Sequence, residues 1–284
     1  MKQHIDLHSH TFYSDGSDTP ESLVRAMHMS GVDVMALTDH DTLAGYERAR
    51  AESDRYGFRI IPGVEISTTR YHILGLNVNP AHRGLQKLLE RSQRLQEGEC
   101  QQRIDILAKL GMPITFEKLR REYPESRLGK WNLIMAALGD PECREYLIQR
   151  HGSPLAPRIC FEYYLGKSGL AVMIEYPETI RSKEAIETIH AAGGLAIIAH
   201  PFKQVRDFEG EMGWLIKKGI DGVEIQPNYG TQNEPFRAYA LQRGLMITYG
   251  SDFHGAGYNR PLLGRGENDV EEEEFKRMLN TWKS

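Results

Sequence analysis

The residues best suited to chemistry are histidines and carboxylates that follow short apolar runs. The first run ends in His8-Ser9-His10 with Asp15 close behind, and the second in Thr38-Asp39-His40-Asp41. A third ends in Pro62-Gly63-Val64-Glu65, His72 lies within a fourth, and two later runs end in His200-Pro201 and Ser251-Asp252-Phe253-His254. Imidazole with carboxylate and without thiolate is a donor set for zinc, manganese or iron. Side chains alternate along a strand with a period of two, so His8 and His10 point to one face and can chelate one ion. Asp252 and His254 repeat that spacing. Six of the 11 histidines fall at these positions.

Each residue also has a plainer reading. A lone buried histidine such as His72 is more often a satisfied core group. Asp15, before Gly16, suits a turn. Asp39 and Asp41 flank His40 and suit support or capping. His4, His28, His82, His151 and His190 fall in strand starts, helices or loops and are assigned no function. The HxH, TDHD and SDFH elements at successive run ends together favour a metal site.

The elements that must position these groups follow from the same pattern. Runs at 4–7, 32–37, 59–66, 71–76, 195–199, 222–225 and 245–249 read as strands, with amphipathic stretches between most of them, as in βα units and a parallel sheet. Thr19-Pro20-Glu21 opens a helix with a cap, a proline and an acid. Ser182 reads as the cap of another, with Ala185, Ile186 and Ile189 apolar and Gly193-Gly194 as its stop. The expected fold is α/β, seven strands closing on themselves into a (β/α)-type barrel, with an open sheet as the weaker alternative. In such barrels the strand C-termini converge on one face, where active sites lie.

Residues 82–175 break the rhythm. They read as helices at 85–110, 116–123, 131–138 and 142–150, punctuated by Gly111-Met112-Pro113, Gly139-Asp140-Pro141 and Gly152-Ser153-Pro154. A helical insertion is expected here, capping the active-site face and leaving 1–81 and 176–284 as the metal-binding barrel. The acidic run at 271–274 is expected to be the solvated first turn of a final helix.

Bulk composition narrows the class. The 284 residues are 40% hydrophobic and 26% charged, as in an ordinary globular protein. Three cysteines, Cys100, Cys143 and Cys160, show no CxxC spacing, which argues against a disulfide framework and suits a reducing cytoplasm. The opening MKQHIDLHSH lacks the basic-then-apolar order of a secretory signal, and no apolar run is long enough to span a membrane. A formal charge of −4 disfavours a groove for long nucleic acid, DNA included. An anionic substrate therefore needs a local attractor, and bound cations fit that need. Nothing in the pattern asks for an obligate protein partner.

The segments IDLHSHTFYSDG, ALTDHDTLAG, GVEIS, AIIAHP and GSDFH, from both ends of the chain, resemble the PHP (polymerase and histidinol phosphatase) family, which is related to the amidohydrolases. The resemblance implies a distorted seven-stranded barrel holding two or three divalent ions, manganese, iron or zinc. It implies that His8, His10, Glu65 and Asp252 hold one ion, and that Glu65 bridges to a second shared with His72 and His200. Asp15, His40 and His254 would hold the third. Some members have histidine where Asp15 stands, and the segment from Glu65 to His72 is short here. The implied catalytic set is His8, His10, Glu65, His200, Asp252 and His254, with His200 or His254 as the candidate proton donor.

Three divalent cations outweigh the carboxylates Asp15, Glu65 and Asp252 in charge, and the excess suits a phosphate dianion. Water bridging two such ions would ionise near neutral pH and could attack phosphorus in line. C–N hydrolysis is an alternative, but the motifs place no lysine at a strand end of the kind many amidohydrolases carboxylate. In the insertion, Arg127, Lys130, Trp131, Arg158 and Lys167 could take a second phosphate and a stacked base, with part of the set merely solvated. The chain length and insertion are similar to the nucleotide-acting subgroup. That implies removal of the 3′-phosphate from a nucleoside 3′,5′-bisphosphate, giving a 5′-mononucleotide, with 5′–3′ trimming of short RNA next and histidinol phosphate after it. A decayed, non-catalytic domain is the reading from another class. Decay should erase ligands, and every expected position is filled.

Overall fold

The computed structural model describes residues 2–172, 179–255 and 269–271. They form two compact units, Met1–Glu90 with Ile180–Ser284, and Arg91–Thr179.

The first unit is built on eight strands: β1 (Lys2–Asp6), β2 (Val34–Leu37), β3 (Arg59–Ser67), β4 (His72–Leu76), β5 (Leu195–Ile198), β6 (Gly222–Ile225), β7 (Met246–Tyr249) and β8 (Asp269–Glu271). Their order is β7-β6-β5-β4-β3-β2-β1-β8. The N-terminal half of β1 pairs antiparallel with β8, Lys2 opposite Glu271. Beyond β1 the chain turns to β7 instead. Leu7 N–H donates to Tyr249 O at 2.8 Å, Asp252 N–H to His8 O at 2.9 Å and His10 N–H to Phe253 O at 2.8 Å. These bonds nearly close the seven strands β1 to β7 into a barrel.

The sheet is mixed, which corrects the expectation of a parallel one. β1, β2 and β3 run parallel, as do β5, β6 and β7, but β4 is antiparallel to both of its neighbours. The cause is local. Only residues 68–71 separate β3 from β4, whereas a parallel return needs a crossover of about a dozen residues. The reversal puts the first residue of β4, His72, opposite Ser67 at the end of β3. His72 thereby reaches the same rim as the strand C-termini.

Alternate residues of β2 face different clusters. Val34 and Ala36 join Ile5, Leu7, Ile61, Leu74, Leu76, Leu195, Ile197 and Ala199, contributed by other strands. Met35 and Leu37 pack instead on Leu23, Val24 and Met27 of the helix Pro20–Met29. Each large aliphatic side chain so buried stabilises the fold by about 1.5–3 kcal/mol. Thr19 caps that helix, its hydroxyl accepting from Ser22 N–H at 3.1 Å. Ser182 does not act as a cap. It is the first residue of helix Ser182–Ala191, and its hydroxyl lies 2.6 Å from that of Thr68. Glu271 belongs to β8 rather than to a helix; residues 272–274 lie outside the described residues.

The second unit is helical. Arg83–Lys109 runs into it from the first unit, followed by Phe116–Glu122, Lys130–Gly139, Pro141–His151 and Pro157–Leu165. The last helix is not among the four read from sequence; it starts at a proline and buries Cys160, Tyr164 and Leu165. The unit has its own apolar core, including Leu107, Leu133, Ile134 and Leu147. All three cysteines are buried free thiols. Among the described residues, no helix is long and apolar enough to cross a membrane.

Candidate metal centre

Glu65, fully buried near the end of β3, is the hub of the rim. Its Oε2 lies 3.1 Å from His8 Nε2 and 3.2 Å from both His10 Nε2 and His40 Nδ1. Its Oε1 lies 3.0 Å from His72 Nδ1 and 3.0 Å from His200 Nε2. Five imidazoles from four strand ends thus converge on one carboxylate. Asp252 completes one side, with Oδ1 3.6 Å from His8 Nε2 and 3.5 Å from His10 Nε2. His254 Nε2 is 3.3 Å from Asp15 Oδ1.

Ligand-type atoms fall into three sets whose members lie within 4.8 Å of one another. They are His8, His10, Glu65 and Asp252; His10, Asp15, His40 and His254; and His40, Glu65 and His72. Eight of the nine residues singled out from sequence fall in these sets, and His200 joins the rim through Glu65 Oε1 at 3.0 Å. His10 falls in two sets, and His40 shares the third, in which His72 was expected with His200.

The electrostatics fit a cationic guest. Burial alone would raise Glu65, but His40, His8 and His72 hold it well below the usual carboxylate range. Burial would likewise raise Asp15, and His254 and His40 reverse that. Burial would lower His10, yet hydrogen bonds to Asp252 and Glu65 push it up to about 9. His8 is also raised, the charges of Glu224, Glu65 and Asp252 outweighing its desolvation. Burial lowers His40 and His200. The carboxylates thus demand positive charge at the point where the imidazole nitrogens converge, and protons on His8 and His10 meet that demand. An oxygen-and-nitrogen donor set of this kind suits a borderline divalent ion in their place.

Of the residues that support the site, Glu224 and Asp6 escape sequence reasoning, whereas Asp39 and Asp41 are read there as supports or caps. Glu224 accepts from His8 Nδ1 at 2.7 Å, from His200 N–H at 2.5 Å and from Gln226 Nε2 at 3.1 Å. The His8 bond leaves Nε2 as the nitrogen that faces Glu65. His254 is fixed in the same sense, its Nδ1 donating to Asp252 O at 2.8 Å. Glu224 had a signal, because Gly-Val-Glu-Ile occurs at 63–66 and again at 222–225. Asp6 accepts from Ser251 N–H at 2.9 Å, and burial pushes it up to about 7. Asp39 takes hydrogen bonds from Thr11 N–H, Thr11 Oγ1 and Ser14 Oγ at 2.6–2.7 Å, which shape the turn between His10 and Asp15. Asp41 accepts from Ser67 N–H at 2.9 Å.

Backbone strain collects at the same rim. Asp41, His200 and Asp252 have φ values of 52°, 26° and 55°, a region non-glycine residues seldom enter. Such conformations persist where surrounding bonds over-determine them. Here Glu224 grips His200 N–H, and His8 O accepts from Asp252 N–H.

Comparison with known proteins agrees with this geometry. Residues 6–128 match the PHP domain model. The chain is 34% identical over 276 residues to a 5′-3′ exoribonuclease of Haemophilus influenzae, covering 89% of this chain and 91% of that protein. The chain belongs to the PHP family. This PHP protein is also 28% identical to the 3′,5′-nucleoside bisphosphate phosphatase of Chromobacterium violaceum, over 93% of the chain and 91% of that protein. Its fold is shared by a solved structure assigned as a metal-dependent phosphoesterase from Bifidobacterium adolescentis, with a TM-score of 0.79, 23% identity and 98% and 96% coverage. The PHP protein is accordingly a metal-dependent hydrolase of phosphate esters.

In the helical unit the five residues proposed from sequence differ in burial. Lys130 and Trp131 open the helix Lys130–Gly139, and Trp131 lies 5.6 Å from Phe161. Burial lowers the Lys130 ammonium, and the neighbouring charge of Arg103 acts in the same direction. Arg127 is half-buried. Arg158 and Lys167 are exposed, and Arg158 pairs with Glu162 at 2.7 Å.

Proposed function

We propose that this PHP protein hydrolyses the 3′-phosphate of nucleoside 3′,5′-bisphosphates, giving a 5′-mononucleotide and phosphate. The supporting observation is the convergence of five imidazoles and two carboxylates, Glu65 and Asp252, on one buried rim. Bound divalent ions would supply Lewis acidity at the phosphoryl oxygens and an ionised water near neutral pH.

The chain's own residues have the following parts. His8, His10, Glu65 and Asp252 would hold one manganese, iron or zinc ion. Glu65, His72 and His200 would hold a second, and Asp15, His40 and His254, with His10 beside them, a third. Glu224 and the main-chain oxygen of Asp252 fix the tautomers of His8 and His254. Only where His200 or His254 is not committed to an ion could it pass a proton to the departing oxygen.

Release of 5′-mononucleotides from short RNA is the second reading. It is favoured by the exoribonuclease names of relatives at 34% identity in Haemophilus influenzae and 32% in Escherichia coli. Both reactions break the P–O3′ bond of a 5′-phosphorylated nucleotide, so one site can serve both. Product release from adenosine 3′,5′-bisphosphate, a 5′-phosphorylated dinucleotide and histidinol phosphate, with metal-analysed protein, decides between them. Higher kcat/KM on the bisphosphate is expected. Preference for the dinucleotide selects the second reading, and preference for histidinol phosphate overturns both.

A further inference from the structure

The strand ends β5 and β6 carry a group of side chains that the metal centre does not use. After β5, His200 leads into the short helix Pro201–Gln204, which holds Phe202 and Lys203. Lys203 Nζ lies 3.0 Å from Asp252 Oδ2, the carboxylate oxygen opposite the one facing His8 and His10. After β6, Tyr229 sits on the segment Pro227–Asn233. Its ring is 4.5 Å from that of Phe202, and Lys203 Nζ is 4.8 Å from the Tyr229 ring centre and 5.4 Å from that of Phe202.

We propose that Phe202, Lys203 and Tyr229 form a nucleotide subsite beside the metal centre, the rings taking the nucleobase and the ammonium a phosphate oxygen. This rests on the nucleotide reading above. Lys203 is not consumed by its ion pair. Its side chain is 28% exposed while that of Asp252 is 3% exposed, so the ammonium presents donors both to the rim and to an incoming anion. Both rings are half-buried, which leaves aromatic surface in reach of a guest. Base stacking on aromatic side chains with a cation alongside is how sequence-tolerant nucleotide sites are built.

The group is also pre-organised. Gln204 accepts from His72 N–H at 2.7 Å and donates to Ala199 O at 2.6 Å, which ties the short helix to β4 and to the end of β5. Asn233 donates to Gln226 O at 2.7 Å and to Gly230 O at 3.2 Å, and Tyr229 N–H donates to Gln226 O at 3.0 Å. These bonds fix the loop that carries Tyr229. A surface lysine that merely neutralised an acid would need neither anchor nor the two rings. A rigid wall keeps more of the stacking energy as affinity, because less entropy is lost on binding.

Calorimetric titration of 5′-AMP and of ribose 5-phosphate into the metal-loaded protein tests this. Wild type should bind 5′-AMP about tenfold or more tightly than ribose 5-phosphate. Phe202→Ala and Tyr229→Ala should erase that preference while leaving ribose 5-phosphate affinity and metal content unchanged. Tyr229→Leu keeps the bulk without the aromatic face and must lose the preference too, which guards against a collapsed loop. Lys203→Met should weaken both ligands about tenfold with wild-type metal content. A full base preference in the Tyr229 variants, or wild-type binding of both ligands by Lys203→Met, overturns the subsite. Failure of the nucleotide reading shows separately, as absence of adenosine 3′,5′-bisphosphate turnover by wild type.

Discussion

The tetrapeptide Gly-Val-Glu-Ile occurs in β3 and again in β6, and the two copies do different work. Both begin with a glycine that lets the strand approach its neighbour. A Cβ on Gly63 would stand 3.0 Å from Leu37 O, and one on Gly222 only 2.6 Å from Met246 O. Both place their glutamate fully buried at the same rim. Glu65 then meets ring nitrogens from five histidines, whereas Glu224 meets hydrogen donors from His8, His200 and Gln226. Identical local sequence sets where the carboxylate goes. What the neighbouring strands bring to it decides whether it faces a cluster of ring nitrogens or braces the residues that carry them.

The sharpest way to break that contrast is Glu65→Ala. It should abolish binding of two ions and lower phosphoester hydrolysis by about a thousandfold or more, since metal contributes several kcal/mol of transition-state stabilisation. Elemental analysis that still found a full metal complement would place the ions elsewhere. Asp252→Asn should leave the circular dichroism of the fold intact while lowering bound metal, with a rate loss of about a hundredfold. Full activity in that variant would remove Asp252 from the site.

Glu224→Gln probes the supporting role. All of its partners donate, so an amide must turn its own donor toward one of them. Metal affinity should fall about ten- to hundredfold, as for other groups that orient ligands. Competition titration with a chromogenic chelator measures this, and an unchanged affinity would strip Glu224 of that role.

The next contrast lies in pH. His10 stands at about 9 in the folded chain and at about 6.5 when unfolded. Its proton therefore stabilises the metal-free protein fully below about 6.5, and that stabilisation is lost as pH rises through about 9. A metal ion must displace the same proton, so metal affinity should rise over that interval with proton release. Thermal melts of metal-free protein and calorimetry in two buffers check both signs. Dependence on Asp252 alone would leave the slope unchanged in Glu65→Gln; the geometry predicts a smaller slope there, because Glu65 also holds the His10 proton.

Smallest of all should be Arg158→Ala in the helical unit. Arg158 is solvent-exposed and paired only within its own helix turn, so stability should change by less than about 0.5 kcal/mol. A tenfold rise in KM would place it in the substrate site.

Much of this was legible in the chain. Apolar runs located β1 to β7 to within a few residues, and HxH, TDHD and SDFH marked their rim ends. The reversal of β4 was missed because periodicity carries no direction; only the four-residue link at 68–71 did. Ser182 has the type of a cap, yet its hydroxyl is taken by Thr68, more than a hundred residues away. Lys203 lies in no motif and gains meaning only from Asp252.

The sequence by itself determined which donors exist and that strand ends would carry them, since side-chain period and turn placement are local properties. Tertiary structure decided which donors share a neighbour: His10 with both acidic groups, Glu224 behind His8, Lys203 against Asp252. Those pairings depend on strand register and on closure between β1 and β7, which bring together groups some fifty to two hundred and forty residues apart, and no short window of the chain encodes them.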